Sequence, residues 1–155
     1  MLSKSCEYAL KSILYITKHS QNLERVGAKN ISDDLDIPYH FAAKLLQILA
    51  KADIISSQKG PNGGFYLTAD NLTHSLADVV FAIDGDGIFV NCILGLKTCS
   101  ETRPCPIHHE FIDIKIKISK IFEDTTLDQI KSKLLSGEFY LNNLNVSCQY
   151  ERKNK

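Results

Sequence analysis

The chain has 155 residues, 44% of them hydrophobic, and its 18 basic side chains balance 18 acidic ones. That length suits one domain, or a small domain with an oligomerising extension, and the apolar content is enough for a core and excludes wholesale disorder. Zero formal charge argues against binding polyanions over the whole surface. Residues 1–70 hold eight basic and seven acidic side chains, so any footprint on nucleic acid must be local. No apolar run approaches a membrane span, and MLSKSCEYALKSILYI alternates polar and apolar residues where a secretion signal needs an unbroken apolar stretch. The expectation is a cytoplasmic protein with no membrane partner. Five cysteines make an odd set without small-scaffold spacing, and in a reducing compartment they serve more often as ligands or reactive thiols than as disulfides.

Along the chain, 3–19 reads as a first helix, with Ala9, Leu10, Ile13, Leu14 and Thr17 at helical spacing and Ser3 or Ser5 as its cap. Residues 21–26 are polar and read as a loop. A short helix over 28–34 is followed by a tight turn at 36–38, and Pro38 suits the first position of a helix over 38–52, with Phe41, Leu45, Leu46, Ile48 and Leu49 as its core. Two short helices joined by such a turn form the helix-turn-helix pattern, although an ordinary helical hairpin has the same spacing. The next stretch discriminates. Residues 54–58 read as a strand, Lys59-Gly60-Pro61-Asn62-Gly63-Gly64 as a turn, and 65–67 as the returning strand, which makes a wing. Wings lay backbone amides and a cation along phosphates or the minor groove.

Residues 75–84 form a further short helix, broken by Asp84-Gly85-Asp86-Gly87. Pro106 opens a long helix over 106–123. Its Ile107, Phe111, Ile114, Ile118 and Ile121 follow a heptad seam, and Ile112, Ile116 and Phe122 widen the apolar face. A homodimer seam and intramolecular packing are equally compatible with that periodicity. Thr126-Leu127-Asp128-Gln129 is a capping-box pattern for a last helix over 126–135. Residues 136–155 turn polar and read as a flexible tail. The fold class is therefore mainly α with one small β-hairpin: a winged helix-turn-helix unit at 1–84, a cysteine loop at 85–105, and a long helix with its follower at 106–135.

Between the winged unit and the long helix lies CILGLKTCSETRPCPIH, which places Cys92, Cys99, Cys105 and His108 within seventeen residues. Thiolates gathered on a Gly- and Pro-punctuated loop are the ligand set of a soft metal centre, iron–sulfur or zinc. A Cys3His zinc site is the chemical rival, but its ligands come as close CxxC pairs and none exists here. Cys6 reads as a buried apolar residue of the first helix, and Cys148 as unrelated to the loop. On the second helix Tyr39, His40 and Lys44 occupy its early, groove-facing turns. The wing offers Gln58, Lys59 and Asn62, and Arg25 and Lys29 are candidate phosphate contacts. Each of these charges, taken alone, reads as a plain surface charge.

The run IPYHFAAKLLQILAKADIISSQKGPNGGFYLT, the following SLADVVFAIDG, the Cys92/Cys99/Cys105 loop with CPIH, and the late DTTLDQI together resemble the winged-helix regulators of the IscR and NsrR type, the Rrf family. The resemblance spans about residues 1–135, nearly the whole chain. It implies a winged helix-turn-helix with a long dimerisation helix. It further implies a homodimer on palindromic double-stranded promoter DNA, acting as a repressor or other regulator. The cofactor implied is an iron–sulfur cluster, most often [2Fe–2S], on the three cysteines. Such proteins sense redox state, nitric oxide or cluster supply. For the fourth ligand, His108 matches the histidine of IscR-like members and is preferred. Its rival is Glu7, which matches the carboxylate that NsrR-like members supply from the partner subunit. Three departures stand out. Six residues separate Cys92 from Cys99 where the family often has five. Lys59 replaces a common arginine, which keeps the charge without the bidentate fork. Ala43 stands where IscR-like members carry a glutamate that tunes DNA choice, so their target sequence is not carried over.

Two other functions fit parts of the sequence. An iron–sulfur electron-transfer protein would use the helical hairpin as scaffold, against which the wing speaks. A metal-independent thiol switch would pair two loop cysteines. An enzyme is not expected, since no nucleophile motif or phosphate loop appears.

Overall fold

A computed structural model describes residues 2–19 and 24–137 of the chain. Helix α1 (Lys4–His19) turns Cys6, Ala9, Ile13 and Ile16 into the core, a three- and four-residue spacing that puts them on one stripe. The Ser3 hydroxyl accepts from the Cys6 amide at 3.1 Å and caps the helix, as expected for that position. Helices α2 (Ala28–Leu35) and α3 (Tyr39–Lys51) follow. Asp36 takes a left-handed conformation between them (φ 52°), and buried Ile37 is held at both ends by Ser32: its amide donates to the Ser32 carbonyl at 3.0 Å and its carbonyl accepts from the Ser32 hydroxyl at 2.7 Å. Pro38 caps α3 rather than occupying its first turn. Leu45, Leu46 and Leu49 are buried as the periodicity requires, whereas Phe41 and Ile48 are half-buried at its rim.

The wing is shorter than the sequence suggests. Ile54 and Ile55 are buried, but Ile54 closes α3 by donating to the Leu49 carbonyl at 3.0 Å, so strand β1 begins only at Ser56. Strands β1 (Ser56–Gln58) and β2 (Gly64–Tyr66) pair antiparallel with Ser57 opposite Phe65. Val26, read as loop, forms a bridge to Phe65 on the outer edge of β2, with paired bonds of 2.8 and 2.9 Å. Close backbone contacts, with that edge for Gly64 and within the wing turn for Gly63, explain two glycines. A Cβ at Gly64 would stand 2.8 Å from the Val26 carbonyl, and one at Gly63 would stand 2.2 Å from that of Gln58. Buried Asn71, in a short 3-10 turn (Asn71–Thr73), ties wing to helix. Its amide donates to the Asp53 carbonyl at 2.7 Å, and its side-chain oxygen accepts from the Thr68 amide and the Ser56 hydroxyl.

Helix α4 (Leu76–Asp84) starts with a Ser75/Asp78 capping box. A four-residue helix α5 (Gly87–Val90) follows where the sequence suggests only a break. Helix α6 (His108–Asp124) packs on α4 and α5, and α7 (Leu127–Leu135) begins with the Thr126/Gln129 capping box that its sequence predicts. Leu127 is fully buried and seats α7 on α1, while the Ser75–Thr126 bridge joins the starts of α4 and α7. One core cluster runs from Ala9 and Ile13 through Ile31, Leu46 and Leu49 to Val79 and Leu127.

The inward stripe of α6 is shifted by one residue from the heptad seam. His108 and Lys115 are its buried members, and Phe122 meets Phe89 of α5 edge-on at 6.0 Å. Intramolecular packing therefore takes only half of the apolar face. Ile107, Ile114 and Ile121 of the seam are 38%, 48% and 61% exposed. The tail expected over 136–155, with Cys148, lies outside the described residues from 138 onward.

Candidate metal centre and nucleic-acid interface

Local chain geometry brings the loop's donors together. Cys92 lies one residue beyond the end of α5, after Asn91, and is buried, and its carbonyl accepts from the Gly95 amide at 2.9 Å in a tight turn. Cys105 ends the loop, and its carbonyl accepts from the His108 amide at 3.0 Å, so the first turn of α6 fixes Cys105 and His108 together. His108 is 5% exposed although it opens a helix, because its ring turns into the pocket lined by Cys92, Cys99, Cys105, Phe111 and Lys115.

Within that pocket the four donors stand as two pairs. The Cys92 and Cys105 sulfurs are 3.9 Å apart, and the Cys99 sulfur is 3.5 Å from His108 Nδ1. Among the described residues, no three Cys, His, Asp or Glu side chains converge on a single point that one ion could occupy. The Cys92 thiol is held below its ordinary value, chiefly by a hydrogen bond from the Leu94 backbone, against the opposing effect of burial and with smaller help from Leu96, Cys105 and the Lys115 charge. Cys6 behaves oppositely: in the core, burial pushes its thiol up to about 12. The carboxylate of Glu7 lies outside the pocket, paired with Lys4 Nζ at 2.7 Å, which holds it below the usual carboxylate range. Glu7 and Cys92 do share a second groove, lined also by Ile88, Ile114 and Phe122.

Lys115 escapes the sequence reading. It stands two helical turns after His108, a spacing that puts both on one face of α6, and that spacing was the available signal.

The six residues expected at DNA are all exposed: Tyr39, His40 and Lys44 on α3, and Gln58, Lys59 and Asn62 on the wing. Tyr39 is half exposed and meets the His40 ring edge-on at 5.5 Å. Arg25, a candidate phosphate contact, is exposed beside the wing. Its guanidinium lies over the Tyr66 ring at 5.7 Å and donates to the Asn62 carbonyl at 3.4 Å, contacts that also brace the wing.

Comparison with known proteins agrees with this architecture. IscR of Vibrio vulnificus is 29% identical over 131 residues, 84% of this chain and 77% of that protein. CymR, the global cysteine regulator of B. subtilis, superposes with a TM-score of 0.68 at 19% identity, covering 86% of this chain and 97% of that one. IscR of T. potens gives 0.66 at 14% identity, covering 93% and 95%. These structural likenesses show the winged-helix fold. The model of the Rrf2 family, described as iron-dependent transcriptional regulators, matches residues 2–133, and on that match the chain belongs to this family.

Proposed function

We propose that the chain is a cytoplasmic, homodimeric regulator that binds double-stranded promoter DNA through α3 and the wing, under the control of a [2Fe–2S] cluster held by Cys92, Cys99, Cys105 and His108. The observation that carries this reading is the pairing of the donors. Two thiolates on one tetrahedral metal with bonds of about 2.3 Å stand about 3.8 Å apart, and a thiolate and an imidazole nitrogen about 3.6 Å. The two pairs here measure 3.9 and 3.5 Å. One pair for each of two irons is the ligand arrangement of a binuclear cluster, and imidazole on one of its irons is an established variation. A single zinc ion would instead want its ligands to converge.

When bound, such a cluster supplies one-electron redox chemistry and an iron centre open to oxidants and nitric oxide, which fits sensing of redox state, nitric oxide or cluster supply. The chain's own residues supply the rest. Phe111 and Ile112 line the pocket and limit water. The Ser3 amide donates to the Asp84 carboxylate at 2.8 Å, which ties the start of α1 to the end of α4, and α4 packs on α3. Movement of the loop thus has a packed route to the DNA-reading helix. The exposed half of the α6 seam is the surface offered to a second subunit, and Glu7 of that subunit is the alternative fourth ligand.

A second reading rests on the same 3.9 Å separation, since Cys92 and Cys105 are close enough to pair as a thiol switch without metal. Optical spectra of anaerobically purified protein distinguish them: sulfide-to-iron charge-transfer bands support the cluster. A colourless protein whose DNA affinity responds to oxidant supports the switch.

A further inference from the structure

Lys115 is the buried side chain to which the cluster reading assigns no role. Only 6% of it is exposed, on a helix with open solvent one face away. An ammonium at such depth is tolerated only where polar partners replace its water. Its partners here are the Val90 carbonyl at 3.3 Å, the Asn91 carbonyl at 3.0 Å and the Cys99 sulfur at 3.5 Å. Among the described residues the ion pairs are Lys4 with Glu7 and His74 with Asp78, so the charge of Lys115 meets no carboxylate. Both carbonyls belong to the last two residues before Cys92, and the sulfur to the middle cysteine. A single side chain thus clamps the loop at its entry and at its centre.

We propose that Lys115 is a positioning residue of the metal centre: its ammonium ties the entry of the cysteine loop to α6 and sets a fixed positive charge against the Cys99 sulfur, seating an anionic cluster and raising its reduction potential. The second half of this inference rests on the cluster reading; the tie to the two carbonyls does not. Three thiolates give a cluster negative charge, and reduction adds one more, so a nearby cation favours the reduced form. An N–H donor directed at a ligand sulfur acts in the same direction.

The test uses the full chain with Lys115→Met, Lys115→Arg and, as a surface control on the same helix, Lys117→Met, each reconstituted anaerobically with ferrous iron and sulfide. Lys115→Met should lower the cluster's potential, shifting the one-electron equilibrium about tenfold, or about 59 mV. In the iron-free chain it should also speed cleavage of the loop after Glu101 by a glutamate-specific protease. Lys115→Arg should restore the potential, and Lys117→Met should change neither readout. Should Lys115→Met fail to fold, Lys115→Gln carries the same comparison. Wild-type potential and wild-type cleavage in the folded neutral variant, or an equal shift from Lys117→Met, would overturn the proposal. If the wild-type chain takes up neither iron nor sulfide, the cluster reading falls separately. The cleavage rate then decides the clamp: faster cleavage in Lys115→Met upholds it, and unchanged cleavage ends it.

Discussion

Cys99 stands at the centre of the candidate site, with His108 and Lys115 each 3.5 Å from its sulfur, and it lies outside the helical core. Cys99→Ala should therefore abolish iron and sulfide uptake while the far-ultraviolet circular dichroism stays that of the wild type. Full metal and sulfide content in that variant would remove Cys99 from the ligand set. For the fourth ligand, His108→Ala should change both the visible spectrum and the potential, and Glu7→Ala should change neither. The reverse pattern would move the ligand to α1 and give the sensor a direct hold on the DNA-binding unit of the other subunit. The gathering of the three cysteines and His108 on one short stretch was legible from their spacing, whereas the preference for His108 over Glu7 as fourth ligand came from the family resemblance. Lys115 was not legible, because a lysine in a long amphipathic helix ordinarily reads as solvated charge. Only its burial against two carbonyls and a sulfur gives it a role.

The wing and α6 carry the predictions at the scale of elements. Lys59 lies exposed on the wing turn, so Lys59→Ala should weaken promoter binding and flatten its salt dependence by about one unit of slope. Unchanged affinity and slope would take the wing out of the interface. Asn71→Ala should cost about 1–3 kcal/mol in chemical denaturation, because it strips partners from the Asp53 carbonyl and the Thr68 amide and frees the wing from α3. On α6, Ile114→Glu should dissociate the proposed dimer at micromolar concentration, since a carboxylate buried in the seam costs several kcal/mol. Sedimentation that shows a wild-type monomer would leave the seam without a partner. The start of α7 was the most readable boundary, as its Thr126 capping box shows. Strand starts were the least. Ile54 and Ile55 have the apolar, β-branched character of a strand, yet they close a helix, because the core beneath α3 decides their placement. Helix α5 gave no periodic signal at four residues, and the Val26 edge needed the folded wing to exist.

For the whole molecule, membership of the Rrf2 family and a winged fold describe a machine with two ends. Packing of α1, α3, α4 and α6 joins the cysteine pocket to the exposed face of α3 without an intervening linker. The chain's neutral charge suits the proposed regulator, since non-specific grip would be small and a change at the sensor would then decide occupancy. The order of the parts was legible in the sequence: reader, wing, cysteine loop, long helix. Their meeting in space was not, because it depends on α6 turning His108 and Lys115 inward while leaving half its seam exposed. The central claim is that the two donor pairs hold one binuclear cluster. Iron and acid-labile sulfide analysis of anaerobically purified protein, with its visible spectrum, tests it most directly. The account requires iron and sulfide in equal amounts, two of each per chain, with charge-transfer bands that vanish in Cys99→Ala. A colourless protein without sulfide, or one carrying a single zinc ion, would contradict it.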